Sequence, residues 1–181
     1  MIKDKKFFIL AIIFTILTVG INVFIIVHSC LDANASTQSS NNVAEVVEEI
    51  VNTVAPNTIT EANHDDFLTF VRKAFGHFGL FMISGLISPF ASYYWFKYFD
   101  KNNDLINLLP AIGLGIIIAI ATEIIQRFVP GRSGELTDVL IDLGGFVLGF
   151  SIIFVVFLII FMKNRKNKLV KINEEQMEKI S

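Results

Sequence analysis

Four long apolar stretches constrain the fold of this 181-residue chain more than any other feature. They fall at about residues 7–28, 74–96, 105–126 and 137–162. A helix needs about 20 mostly apolar residues to cross the hydrocarbon core of a bilayer, and each stretch is that long. The hydrophobic share of 53% and the mean hydropathy of +0.61 are too high for an ordinary soluble domain. The sequence therefore predicts an all-α, polytopic membrane protein with four transmembrane helices, forming a single domain over residues 1–181.

The first apolar stretch has two interpretations. Lys3, Lys5 and Lys6 precede it and a short Ala33-Asn34-Ala35 segment follows it, as in a secretory signal peptide. The apolar region of a signal peptide is about 7–15 residues long, and the run Phe7–Val27 is longer. This length favours a retained span, with cleavage as the alternative.

The connection over residues 29–66 is predicted to hold one amphipathic helix. Leu31–Asn42 is rich in Ser, Asn, Thr and Gln without an apolar period, which is typical of a loop. Val43–Val54 repeats its valines and Ile50 at steps of three and four residues, the pattern of an amphipathic helix. Asn63 is a candidate N-cap for the helix that follows.

Basic residues predict the orientation in the membrane. Lys and Arg are enriched on the cytoplasmic side of membrane proteins. With four spans, the N-terminal segment, the second connection and the tail over 163–181 share one side. This side carries most of the basic residues, among them Lys3, Lys5, Lys6, Lys97, Lys101 and the tail cluster. Both termini are therefore predicted to be cytoplasmic, although Arg72, Lys73, Arg127 and Arg132 on the other side count against the rule.

Ionisable and polar residues gather at one end of three predicted spans, on the extracytoplasmic side of this topology. Charged groups within a span are costly and usually functional. The predicted cluster consists of Lys73, His77, Glu123, Gln126, Arg132, Asp138 and Asp142. Arg132 is the best candidate for touching an anion, because its guanidinium fork suits phosphate or carboxylate. His77 is the weakest candidate, since an interfacial His is often only a hydrogen-bonding residue.

Small residues follow the polar ones along the same predicted helix faces. Gly145 and Gly149 are four apart, a spacing that lets two membrane helices approach closely. The prediction is that these glycines pack the helices together while the polar side chains line a cleft opening outward. The alternative is structural: Lys73, His77 and Arg132 simply neutralise the acids and hold the bundle.

Two motifs make the chain resemble the VanZ-like family of bacterial membrane proteins. The first runs from Glu123 to Ser133 as E-x-x-Q-x-F-x-P-G-R-S, and D-x-x-x-D-x-x-G-x-x-x-G follows it from Asp138 to Gly149. The second is Arg72-Lys73 followed by His77-Phe78. The resemblance spans roughly residues 70–150, and the corresponding core is placed at about 70–162. The family usually has Tyr where Phe81 stands and often Asn where Asp142 stands.

The resemblance implies a role in the cell envelope of the bacterial cytoplasmic membrane, lowering susceptibility to lipoglycopeptides such as teicoplanin. The polar cleft suggests partners that are anionic amphiphiles: membrane lipids, a lipid-linked cell-wall precursor or the lipoglycopeptide itself. No cofactor, metal or nucleic-acid partner is predicted, and the oligomeric state is open.

Two other classes of protein compete with this one. A membrane enzyme could use Glu123, His77 and Asp138 as general acids and bases on a lipid-linked substrate. Against it, the chain has no G-x-S-x-G nucleophile motif and no H-E-x-x-H metal motif. A small transporter or accessory subunit is disfavoured because the predicted spans carry no charge at mid-membrane.

Overall fold

The computed structural model describes residues 5–56, 58–99 and 103–178, and over these ranges the chain is helical without strands. This confirms the predicted all-α class. The elements in chain order are α1 (Lys5–Ser29), α2 (Ala33–Val54), α3 (His64–Val71), a π-helical segment (Arg72–Gly79), α4 (Leu80–Tyr98), a 3₁₀ turn (Ile106–Leu108), α5 (Pro110–Gln126) and α6 (Leu136–Glu178).

Four helical stretches in the described ranges are long and apolar enough to cross a membrane, as predicted. They are Lys5–Ser29, His64–Tyr98, Ile106–Gln126 and Leu136–Val170. The second is continuous through α3, the π-helical segment and α4, because the residues at both junctions keep right-handed helical backbone angles. It therefore begins about ten residues before the predicted start at residue 74.

Helix α4 lies at the centre of the bundle, in contact with α1, α5 and α6. The buried core joins Phe81 of α4 to Ala119 of α5 and Phe146 of α6, with Ile25 of α1 beside them. Large apolar side chains on the outer faces are exposed, among them Ile16, Ile117 and Ile159. An exposed apolar surface of this kind suits contact with lipid.

The second and fourth membrane-spanning stretches approach each other closely through glycine. A Cβ atom on Gly145 would overlap the carbonyl oxygen of Phe78, and one on Gly149 would overlap that of Met82. The approach is reciprocal, because a Cβ on Gly85 of α4 would overlap the carbonyl oxygen of Phe146. Backbone therefore lies against backbone, the kind of contact that small residues permit between membrane helices.

The connection after α1 differs from the prediction. The predicted loop over Leu31–Asn42 is wrong, because α2 begins at Ala33 and continues to Val54. The apolar side chains of its second half are largely exposed, with Val46 at 58%, Ile50 at 59% and Val54 at 81%. The amphipathic character predicted for this helix thus stays a prediction.

Asn63 precedes α3 as predicted, but its side chain makes no cap hydrogen bond. The side-chain oxygen accepts a hydrogen bond from the Thr60 backbone N–H, and the side-chain nitrogen donates to the carbonyl oxygen of Thr58. The amide therefore closes the preceding turn and leaves the first backbone donors of α3 to other partners.

The last helix is longer than the predicted span. α6 runs on to Glu178 through most of the basic tail, whose structure the sequence left open. At the same end of the bundle, Lys97 Nζ lies 2.6 Å from Asp104 Oδ1. Lys3 and Lys101, which also supported the orientation, lie outside the described residues.

Candidate functional site

The predicted polar residues lie together at one end of the bundle. We call it the site end: α1 finishes there at Ser29, α5 finishes at Gln126 and α6 begins at Leu136. The π-helical segment contributes Lys73 and His77 to it. Four side chains, His77, Glu123, Asp138 and Asp142, form what we call the His–acid cluster, and each of them is at most 7% exposed.

His77 is the centre of the His–acid cluster. Its Nδ1 donates a hydrogen bond of 3.0 Å to Asp142 Oδ1 and lies 3.9 Å from Glu123 Oε1. On the other side of the ring, Nε2 lies 3.9 Å from Asp138 Oδ2. One imidazole thus faces three carboxylates that come from two different helices. His77 was the weakest candidate predicted from the sequence. In the structure, three carboxylates lie within 3.9 Å of its ring nitrogens.

The three carboxylates have unequal surroundings. Asp138 Oδ1 lies 2.7 Å from Lys73 Nζ, so that acid has a cation of its own. Asp142 is fully buried, and the hydroxyl of Thr122 lies 3.5 Å from its second oxygen. Glu123 Oε2 accepts a 2.9 Å hydrogen bond from the backbone N–H of Glu135. Its other oxygen, Oε1, is buried without a hydrogen-bond partner in the described part of the chain.

The turn between α5 and α6 closes over this cluster. Gly131 has a φ of 73°, a left-handed backbone conformation that favours glycine. The turn carries Arg132 back over the bundle, where its guanidinium donates to Gln126 Oε1 at 2.8 Å and to the Ser36 hydroxyl at 3.0 Å. Arg132 therefore links the end of α5 to the first half of α2.

A small polar pocket lies between this turn and the His–acid cluster. It encloses about 80 Å³ and is lined by Ser36, Arg72, Gln126, Gly131, Arg132, Ser133, Glu135 and Asp138. Burial lowers the pKa of the Arg132 guanidinium, and the nearby positive charge of Arg72 lowers it further. Both groups nevertheless stay charged, because a guanidinium does not deprotonate in proteins. Two arginines therefore line one small space together with Glu135 and Asp138, and an anion there would contact both positive residues.

A second, apolar pocket adjoins the first. It encloses about 150 Å³ between α1, α2 and the π-helical segment. Its lining is mostly apolar or aromatic: Phe24, His28, Ser40, Val43, Val71, Arg72, Phe75, Gly76 and Leu80. Arg72 lines both pockets. The polar pocket and the apolar pocket thus share one arginine residue.

Sequence reasoning omitted three residues from the site. Arg72 was recognised in a motif but not as part of the cluster, and its Nε is buried without a hydrogen-bond partner in the described residues. Thr122 resembles an ordinary polar interruption of an apolar span. Ser36 lies in the segment predicted to be a loop. Of these three residues, only Arg72 could have been found from the sequence, because it belongs to the motif Arg72-Lys73.

The π-helical segment explains why Arg72 and His77 serve one site. They are five residues apart, which would place them on different faces of an α-helix, where neighbours recur at three and four. The i→i+5 spacing of a π-helix brings such residues into line, and π-helical turns occur frequently at functional sites. The hydropathy pattern gives no sign of this local change in pitch.

Position 142 is one of the two at which the chain departs from the usual family pattern, and here it takes part in the hydrogen-bond network. Asp142 accepts from His77, and an Asn would offer one oxygen to the same donor. Phe81, the other departure, is 2% exposed and belongs to the apolar core.

The fold and the site together define a helical, multi-span membrane protein with a buried His–acid cluster and two arginines at one end. The model of the VanZ/LLP1 family matches residues 8–162, which is most of the chain. The chain therefore belongs to the VanZ/LLP1 family. The match begins well before the motifs near residue 70 and includes α1 and α2. Neither the curated proteins nor the solved structures gave a match.

Proposed function

We propose that this VanZ-family protein lowers the susceptibility of a bacterial cell to lipoglycopeptides such as teicoplanin. It does so by binding an anionic amphiphile at the site end, which faces the outer leaflet of the cytoplasmic membrane. The observation that carries the proposal is the position of Arg72, which lines the polar pocket and the apolar pocket at once. An amphiphile needs this combination, because its charged group and its hydrocarbon chain must be bound side by side.

The charge of the polar pocket supports an anionic ligand. Arg72 and Arg132 both line it, and the only direct partners of the Arg132 guanidinium among the described residues are neutral, Gln126 and Ser36. A guanidinium fork binds phosphate or carboxylate through paired hydrogen bonds. Glu135 and Asp138 also line the pocket, but Lys73 Nζ lies 3.6 Å and 2.7 Å from their carboxylates and balances part of their charge.

The size of the polar pocket narrows the class of ligand. A protein cavity of about 150 Å³ holds one benzene ring, so 80 Å³ has room for a group of only a few heavy atoms. A phosphate or carboxylate enters, whereas a peptide or sugar portion has to remain outside. We therefore favour the phosphate of a phospholipid or of a lipid-linked wall precursor over the body of the drug.

Survival on teicoplanin, normalised to the amount of protein in the membrane, tests the proposal in a sensitive Gram-positive host. Arg72→Ala and Arg132→Ala should each abolish protection while the protein still accumulates. Arg127→Ala is the matched control, because Arg127 is an exposed arginine of the same turn that does not line the polar pocket. Mass spectrometry of co-purified lipids should find less bound lipid with Arg72→Ala and with Arg132→Ala than with Arg127→Ala.

Two results would contradict the proposal. Protection that falls only in proportion to protein level would make the arginines structural. A wild type that gives no protection would refute the resistance role, and the lipid measurement would then decide separately whether the pockets bind an amphiphile.

A further inference from the structure

The His–acid cluster holds more buried negative charge than its neighbours balance. Glu123, Asp138 and Asp142 are 4%, 4% and 0% exposed. Lys73 lies 2.7 Å from Asp138 and is engaged there. Among the described residues, the His77 imidazole is the only basic group that lies within 4 Å of Glu123 and Asp142. A buried carboxylate is costly unless it is paired or coordinates a metal.

The ligand atoms are already close together. His77, Glu123 and Asp142 each offer one nitrogen or oxygen, and these atoms all lie within 4.8 Å of one another. Around a tetrahedral zinc ion, with bonds of about 2.0–2.2 Å, neighbouring ligand atoms are separated by roughly 3.3–3.6 Å. The distances of 3.0 Å from His77 Nδ1 to Asp142 and 3.9 Å to Glu123 bracket that separation.

One atom points independently to a missing partner. Glu123 Oε1 is buried and accepts no hydrogen bond within the described residues, although the other oxygen of the same group is satisfied. The distance of 3.9 Å from Oε1 to His77 Nδ1 is too long for a hydrogen bond. A buried acceptor left open toward the cluster is the feature that a bound cation would satisfy.

We infer that His77, Glu123 and Asp142 bind a divalent transition-metal ion, with Zn²⁺ or Mn²⁺ as the class that the ligands favour. Carboxylates bind Mg²⁺, Ca²⁺ and Mn²⁺ alike, whereas imidazole suits zinc and other transition metals, so the His77 nitrogen is the ligand that disfavours Mg²⁺ and Ca²⁺. The ion takes the place of the proton that now joins Nδ1 to Asp142. Its two charges neutralise Glu123 and Asp142.

Asp138 has a different role in this site. It faces Nε2, the ring nitrogen that does not meet the metal, at 3.9 Å. This distance is too long for a hydrogen bond, so the role requires the ring to turn until its N–H reaches the carboxylate. A carboxylate that accepts from this nitrogen orients the metal-binding imidazole and raises its basicity. Lys73 holds Asp138 from the other side. Asp138 is therefore a positioning residue rather than a ligand. The sequence predicted no metal because Glu123 and Asp142 lie far along the chain from His77, at a spacing that matches no recognisable metal motif.

The test is titration of the purified full-length protein in detergent with Zn²⁺ and with Mn²⁺, after treatment with a chelator. Wild type should bind one ion per chain and unfold at a higher temperature when loaded, whereas Mg²⁺ should have no effect. Glu123→Gln and His77→Gln should weaken binding by more than about 100-fold, since loss of an outer partner alone commonly costs 10–100-fold. Asp138→Asn should weaken metal binding by only about 10–100-fold.

Glu123→Gln separates metal binding from folding. Because Oε1 has no hydrogen bond to lose, this variant should keep the metal-free unfolding temperature of wild type and lose only the increase on loading. Glu45→Gln, which removes an exposed acid on α2, should bind like wild type. Wild type that binds neither Zn²⁺ nor Mn²⁺, or Glu123→Gln that binds as tightly as wild type, would overturn the inference. The titration uses no drug and no added lipid, so its result is independent of the proposed function.

Discussion

His77 Nδ1 lies 3.0 Å from Asp142 Oδ1, and 65 positions of sequence separate the two residues. The contact joins the second membrane-spanning stretch to the fourth at the site end. Both side chains are buried, His77 at 7% and Asp142 at 0% exposed. The bond therefore links two helices in the buried interior, and it ties the site to the packing of the bundle.

Asp142→Ala should destabilise the protein more than Asp142→Asn. Alanine leaves His77 without its acceptor, and an unsatisfied buried polar group costs about 1–3 kcal/mol. Asparagine keeps an oxygen that can accept from Nδ1. Thermal unfolding of the metal-free proteins in one detergent measures the difference. Equal unfolding temperatures for the two variants would show that the bond adds nothing to stability.

Gly145→Ala should damage the bundle, whereas Gly144→Ala should not. A methyl group at position 145 overlaps the Phe78 carbonyl oxygen, but at position 144 its nearest neighbour is a ring atom of Phe78 at 3.8 Å. Overpacking costs about 1–3 kcal/mol, while Gly to Ala in a helix otherwise gains up to about 1 kcal/mol. Fluorescence-detected gel filtration after heating gives the comparison. A Gly145→Ala protein as stable as Gly144→Ala would mean that α4 and α6 can separate freely.

Lys73→Met should lower stability more than Lys97→Met. Asp138, the partner of Lys73, has a side chain only 6% exposed, whereas Asp104, the partner of Lys97, is 31% exposed. A hydrogen bond to a buried charge contributes about 1.5–3 kcal/mol, and an exposed ion pair about 0–1 kcal/mol. Membrane abundance and unfolding temperature provide the readout. The double variant Lys73→Met/Asp138→Asn should recover part of the loss, and failure to recover would assign the effect to packing by the lysine chain.

The predicted orientation can be checked by labelling introduced cysteines in intact cells. The background is Cys30→Ser, because Cys30 is an exposed free thiol. A cysteine at the exposed Glu61, before α3, should react with a membrane-impermeant reagent from outside. One at Asn167 should react only after the membrane is opened. The reverse pattern would place the site end in the cytoplasm and would remove the outer leaflet from the proposed function.

Hydropathy predicted the spans well because membrane helices are specified by local composition. The acids also fell at one end, since chain direction alternates between successive spans. The helical start of α2 was missed because Leu31–Asn42 has no apolar period. Arg132 contacts Ser36 across 96 positions, so the partner of this segment is remote in sequence. The role of Arg72 depends on π-helical pitch, and the role of His77 depends on which helices adjoin it. Neither can be obtained from one helix considered alone.

The π-helical segment also determines which length changes the chain can tolerate. In an α-helix each residue turns the chain by about 100°, so removing one residue between Arg72 and His77 would rotate α3 by roughly that angle relative to α4. If the residue removed were Ala74, Arg72 would leave the junction of the two pockets although every residue that lines them was still present. In this stretch, deletion of a single residue would remove the proposed anion-binding arginine from the site of the histidine as effectively as mutating either one.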